Sequence, residues 1–273
     1  TGSIFKVSLY YEIEHGRLFA FKSPIGFDEE IQKLIDREYN NYKLIHHPQI
    51  PTFYGKIKNK TGFIIQFIEG KTLLNIIKMQ LGFEDKISII FQLMLIIEYL
   101  QEKKFVYRDL KPDNVIIDDN KRVYLIDFDR MILITDNIDN EMHTNELSSA
   151  FIAPEIYNNE ISYKNDIYSI GRMIYYIMTN QIEYQENAKI DNDNLHKFYV
   201  KTQKNPNERP SIHELIIEFY AIFIDIIENK FSVINFTFNK KKYFIGIVEY
   251  GIKYMEQDTN KSIKILSLLA NQN

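Results

Sequence analysis

The chain has 273 residues, of which 45% are hydrophobic and 26% charged, enough apolar material for a substantial core in one large domain or two unequal ones. A formal net charge of −4 excludes a broad basic surface for nucleic acid or anionic lipid, and the absence of cysteine excludes disulfides, thiolate zinc sites and a cysteine nucleophile. The six histidines show no metal-ligand spacing, and the opening residues carry no signal or transit pattern. The most apolar stretch, Ile87 to Leu100, contains Gln92 and Glu98 and falls short of the roughly 20 residues a membrane span needs. It reads as a buried helix, in a chain expected to have no membrane span and a cytoplasmic, intracellular place.

In chain order, Phe5-Lys6-Val7-Ser8-Leu9 and Leu18-Phe19-Ala20-Phe21-Lys22 alternate as strands about a turn at His15-Gly16. Ile31, Leu34, Ile35, Glu38, Tyr39 and Tyr42 follow a 3.6-residue period, so residues 28–44 read as a helix ending before His47-Pro48. Phe63 to Phe67 is a short strand, with a break at Gly70. Helical patterns then dominate, at 84–103, 164–179 and 211–229, interrupted by a β-hairpin over 115–126. The fold class implied is α+β and bilobal: a small β-rich lobe with one helix, residues 1–68, before a larger, mainly helical lobe, residues 69–230. From Asn239 the pattern changes to two amphipathic helices joined by Glu256–Asn260, a helical hairpin over 239–273.

The densest chemistry lies in Tyr107-Arg108-Asp109-Leu110-Lys111-Pro112-Asp113-Asn114 and in Val123-Tyr124-Leu125-Ile126-Asp127-Phe128. Two apolar strands flank the turn formers Asp118-Asp119-Asn120-Lys121. Pairing them antiparallel is expected to set Val115 opposite Ile126 and so Asn114 beside Asp127, with opposed Cα atoms about 5 Å apart. An amide oxygen and a carboxylate that close suit a hard cation such as Mg²⁺, which takes a few protein oxygens and completes its shell with phosphate oxygens. Asp109 and Lys111 add a second carboxylate and a cation nearby. Isolated Asp or Asn residues would read as solvated turn charges; this combination is what in-line phosphoryl transfer to a hydroxyl uses.

The segment resembles the catalytic loop and the metal-binding D-F-G region of eukaryotic-type protein kinases. The resemblance implies transfer of the γ-phosphoryl group of ATP to Ser/Thr residues of protein substrates, with Mg²⁺ or Mn²⁺. Asp109 would be the base, Lys111 would neutralise the γ-phosphate, and Asn114 and Asp127 would hold the metal. Lys22 ends a strand similar to the V-A-I-K strand of the family. Glu38 faces the interior of the following helix, where a carboxylate is costly unless paired, and Lys22 is its implied partner; the alternative is a glutamate kept at the rim. The nucleotide pocket is further implied at Gly2, Val7, Ala20 and Ile116, with Ile65 as gatekeeper and Gln66 and Ile68 at the hinge. Ala153-Pro154-Glu155 closes an activation segment in which Ser148 supports substrate docking and Thr144 is the phosphate acceptor facing Arg108. Asp166 to Gly171 is similar to the helix that braces the catalytic loop, and Arg209 is the implied partner of Glu155. Lys111 and Ser148 fit the serine/threonine rather than the tyrosine pattern.

Three positions depart from the family pattern. The glycine-rich loop, Thr1 to Val7, keeps Gly2, has Phe5 in place of its third glycine, and would have its first before Thr1. Asp129 replaces the glycine of D-F-G, and Tyr107 replaces the usual histidine. An active kinase is the first reading, a pseudokinase acting as a nucleotide- or protein-binding scaffold the second, and a small-molecule kinase the third. The tail 239–273 is similar to one tetratricopeptide, Sel-one-like repeat, which implies a protein partner there; a helical extension packed on the large lobe is the alternative.

Overall fold

A computed structural model of the chain describes residues 5–26, 28–79, 81–134, 150–183 and 189–233. Strands β1 (Phe5–Glu12) and β2 (Arg17–Pro24) form a regular hairpin in which Val7 pairs with Lys22. Helix α1 (Glu29–Tyr42) follows; Asp28 caps it by accepting from the Glu30 backbone N–H at 2.7 Å, and Glu29 and Glu30 complement its positive end. Strands β3 (Phe53–Gly55) and β4 (Phe63–Gln66) complete a four-stranded antiparallel sheet of order β1-β2-β4-β3. Its register sets Ala20 opposite Ile65 and Lys22 opposite Phe63.

Beyond the connection 67–70, strand β5 (Lys71–Thr72) already belongs to a second sheet of order β5-β7-β8, so the chain crosses between lobes there. After the short α2 (Leu73–Ile76) comes α3 (Phe83–Glu102), the apolar run of the sequence; it is buried almost all round from Ile87 to Glu98 and forms the centre of the larger lobe. Strand β6 (Phe105–Val106) leads into residues 107–114; β7 (Val115–Ile117) and β8 (Val123–Leu125) form the expected hairpin; and β9 (Ile132–Leu133) pairs with β6. Helix α4 (Tyr163–Thr179) starts from a capping box made by Ser162 and Asn165. Helix α5 (Asp193–Thr202) is capped by Asn192, and α6 (Ile212–Val233) kinks at Phe223. One apolar cluster runs through both lobes, from Phe5, Ala20 and Ile35 to Phe219 and Ile227.

The two-lobe α+β expectation and the main helices hold. The hairpin register does not: Val115 pairs with Leu125, not Ile126, and Asn114 stands opposite Ile126, whose N–H donates to the Asn114 carbonyl at 3.0 Å. The turn is a residue tighter than the sequence suggested, because Lys121 takes a left-handed conformation (φ 63°) and its N–H closes on the Asp118 carbonyl at 3.0 Å. Helix α5 and the two-residue strands escaped the sequence reading. Among the described residues no helix is long and apolar enough to cross a membrane. The tail 239–273, together with Gly2, Thr144 and Ser148, lies outside the described residues.

Candidate active site

Lys22 and Glu38 meet in the interior. Their charged atoms are 2.6 Å apart, and the Glu38 side chain is fully buried. The same ammonium donates to Asp127 at 2.8 Å, so one lysine joins β2, α1 and the segment after β8. Burial opposes the charge on Lys22, but the carboxylates of Glu38 and Asp127 outweigh it and hold the amine above its usual range. For Glu38 burial wins over Lys22 and pushes the carboxyl up to about 7, whereas for Asp127 the lysine overcomes burial and the shift is downward. Glu38 also accepts from the Phe128 N–H at 3.2 Å, and Asn41, one turn further along α1, donates to the carbonyls of Phe128 (2.8 Å) and Met131 (2.9 Å). Helix α1 therefore holds residues 127–131 by main-chain contacts as well as by charge. Lys22 is set in depth by Gly62 (φ 134°): a Cβ there would lie 2.3 Å from the Lys22 carbonyl.

Asp109, with an oxygen within 4.8 Å of one of Asp127, is 4% exposed. Its Oδ2 accepts from Lys111 Nζ at 2.7 Å and from Asn114 Nδ2 at 2.8 Å, and the Asn114 amide reaches the Asp109 carbonyl too, at 2.9 Å. Burial raises the Asp109 carboxyl despite Lys111. With its nitrogen so engaged, Asn114 has its amide oxygen left to offer a cation. The loop is held from below by Asp166, fully buried, which accepts from the N–H groups of Tyr107 and Arg108, both at 2.9 Å; burial lifts that carboxyl to about 6. Those two bonds support Arg108 in the left-handed region (φ 69°), a conformation that Asp127 shares (φ 68°) and that costs a non-glycine residue about 1–3 kcal/mol. Tyr107 packs edge-on against Phe128, with ring centres 5.5 Å apart.

One oxygen each from Asp109, Asp127 and Asp129 lies within 4.8 Å of the others. This all-oxygen donor set, with Asn114 adjacent, has the chemistry of a hard divalent-cation site and fits one. Asp129 is pushed up to about 8 by burial first and by Asp127 second.

The remaining sequence-derived positions divide. Ala20 and Ile65 are buried partners across β2 and β4; Ile68 is buried and Ile116 half-buried opposite Thr72. Val7 shares a face of β1 with Phe5 but is 62% exposed, and the Gln66 side chain accepts from the Thr52 hydroxyl at 3.2 Å. Glu155 forms a bidentate pair with Arg209, one arm at 3.0 Å, and accepts from Asn165 at 2.8 Å. Sequence reasoning missed Asn41 and the pair Gln49–Gln92. Gln49 donates to Gln92 (2.8 Å) and to the Val123 carbonyl (2.9 Å), and Gln92 accepts from the Val123 N–H (3.0 Å), fastening the hairpin to α3. Its one visible signal was a glutamine inside an otherwise apolar helix.

The protein kinase domain family matches residues 1–259. Similar curated proteins include a carbon catabolite-derepressing protein kinase of Candida glabrata, 28% identical over 79% of this chain and 39% of that protein. Others are the SNF1-like protein kinase ssp2 of Schizosaccharomyces pombe, 30% identical over 56% of this chain and 27% of that protein, and CBL-interacting protein kinase 10 of Oryza sativa, 27% identical over 64% and 39%. The chain thus spans well under half the length of each of these relatives. With the family model matching most of its length, the chain belongs to the protein kinase domain family.

Proposed function

We propose that this chain transfers the γ-phosphoryl group of ATP to serine or threonine hydroxyls of protein substrates. The observation that carries the reading is the convergence of Lys22, bound to Glu38 and Asp127, with Asp109, bound to Lys111 and Asn114, on the two sides of one cleft. Asp127 and the Asn114 oxygen would hold a divalent cation, which would supply charge neutralisation on the phosphates. Lys22, fixed by two carboxylates, orients phosphate oxygens. Asp109 accepts the hydroxyl proton: both donors sit on Oδ2, which leaves Oδ1 to face the acceptor hydroxyl. Lys111, 30% exposed and adjoining Asp109, balances charge on the transferred group. The serine/threonine preference rests on Lys111 and on Ser148, and control by phosphate on Thr144 rests on Arg108. That arginine is buried beside Arg130 and Arg37, whose like charges add to burial in lowering it to about 10 and make an anion opposite them favourable. The boundaries 1–230 for the catalytic domain and the repeat-like partner surface at 239–273 stay proposals of the sequence, the family match itself running to residue 259.

One observation favours a second reading, a nucleotide-binding scaffold without transfer. Phe5, in the place of a loop glycine, is buried, and its ring centre lies 4.6 Å from Lys22 Nζ, where a phosphate would compete with it. Incubation with labelled ATP, Mg²⁺ and a basic protein separates the two. Incorporation that drops at least 1,000-fold in Asp109→Asn, with ATP-dependent thermal stabilisation retained, supports the enzyme. Stabilisation of the wild type with no incorporation refutes it.

A further inference from the structure

Asp129 stands where the family's D-F-G pattern has glycine, and nothing in the transfer chemistry above uses it. Its φ is not among the positive values, so the observed backbone does not call for glycine. Its side chain is 5% exposed, and Oδ1 is buried with no hydrogen-bond partner. A buried carboxylate oxygen without a donor is costly and points to a missing positive partner. The local charges say the same. Lys22 is engaged by Glu38 (2.6 Å) and Asp127 (2.8 Å), and Lys111 by Asp109 (2.7 Å), so two ammonium groups face the four carboxylates Glu38, Asp109, Asp127 and Asp129. Arg130 is a further positive charge acting on Asp109 and Asp129, which still leaves the cluster at least one positive charge short. The oxygens of Asp109, Asp127 and Asp129 lie within 4.8 Å of one another. Cis ligands on a cation with bonds of about 2.1 Å stand about 3 Å apart, so small side-chain rotations close the shell.

We propose that Asp129 is an additional carboxylate ligand which, with Asp127 and with Asp109 in reach, lets this cleft hold a divalent cation of the Mg²⁺ or Mn²⁺ class before any nucleotide arrives. The inference rests on the reading of the cleft as a metal–ATP site and goes beyond it. Sites that depend on phosphate for their oxygens use one or two carboxylates, whereas a third makes the protein's own set sufficient. The competing occupant is a proton shared between Asp127 and Asp129.

The test is a Mn²⁺ titration of the full chain without nucleotide, with free Mn²⁺ read from its electron paramagnetic resonance spectrum. Wild type should bind one Mn²⁺ per chain. Asp129→Gly, which restores the family residue, and the isosteric Asp129→Asn should each weaken binding tenfold or more. Adding a non-hydrolysable ATP analogue should return Asp129→Gly to within about threefold of wild type, since phosphate oxygens then replace the lost ligand. Wild type without stoichiometric Mn²⁺, or Asp129→Gly with wild-type affinity, overturns the proposal and leaves the transfer reading standing. That reading fails differently, if the analogue does not bind wild type, and the proposal then falls with it.

Discussion

Glu38→Gln isolates the contact on which the small lobe's part in the site depends. The amide keeps the size of the side chain and can still accept from the Phe128 N–H, so packing against Ile35 and Tyr42 should survive. What changes is the charge facing Lys22. Removing one partner of a buried pair ordinarily costs about 3–5 kcal/mol, because the other charge stays buried and uncompensated. Here Lys22 keeps Asp127 at 2.8 Å, so the loss should fall below that range, at about 2 kcal/mol. Lys22 would also be drawn further toward Asp127, away from the phosphate position. If the pair serves to place Lys22 for phosphate, the same 2 kcal/mol appears in kcat/KM as a drop of about 30-fold. Transfer kinetics, urea unfolding and binding of a fluorescent ATP analogue should be measured on the same preparations. Glu38→Gln with wild-type kcat/KM would refute the argument, because the ion pair would then be structural only. Combining it with Lys22→Met in a double-mutant cycle should show strong non-additivity, the two effects sharing one contact.

His47 is driven down to about 4 by burial, its ring lying 4.8 Å from that of Tyr99 and its Nδ1 accepting from the Gln49 N–H. For a base held below its usual value, the stability is full above about 6.5 and declines as pH falls, since the unfolded chain takes up the proton first. Between pH 7.5 and 5 this should account for about 2 kcal/mol of lost stability in urea unfolding, and His47→Asn should remove that part of the slope. Gly171 lies where α4 crosses α5, and a Cβ would sit 1.8 Å from the buried Thr202 hydroxyl. Gly171→Ala should therefore lower the stability by about 2 kcal/mol, and Thr202→Ala in the same chain should recover only part of it, since Gln203 Nε2 (2.5 Å) and the Thr202 Cβ (2.8 Å) still crowd the new methyl; a Gly171→Ala protein about 1 kcal/mol more stable, as at an open helical site, would contradict the packing.

Local signals carried the pieces that obey local rules. The periodicity of Ile31, Ile35, Glu38 and Tyr42 placed α1 and the inward carboxylate, because a glutamate on an apolar stripe has few alternatives to an internal cation. Two apolar runs about the turn formers Asp118 to Lys121 marked the hairpin that sets Asn114 and Asp127 at its open end. The register failed where it depended on Lys121 adopting a positive φ, which lysine seldom does and sequence does not signal. Helix α5 was lost among polar residues, although Asn192 as a cap before Leu195, Phe198 and Tyr199 marks it in retrospect. Asn41 and Gln49 were illegible, since an amide's partners are main-chain groups some 75–90 positions away and leave no pattern in the chain.

The departures from the family pattern are therefore not equivalent. Tyr107 preserves the packing on Phe128 and adds a hydroxyl donated to the Ile126 carbonyl, so the substitution is absorbed. Phe5 sets its ring 4.6 Å from Lys22 Nζ, and under the proposed function it would bear on nucleotide affinity. Asp129 acts on conformation as well as charge. A glycine there would admit backbone states of positive φ at small cost, whereas an L-residue pays about 1–2 kcal/mol for them. Any rearrangement of residues 127–131 through such a state is disfavoured by that amount, and it would also break the Asn41 bonds to Phe128 and Met131 and the Glu38 bond to the Phe128 N–H. The same substitution that looks like damage to a motif thus biases the segment toward the arrangement in which Asp127 meets Lys22.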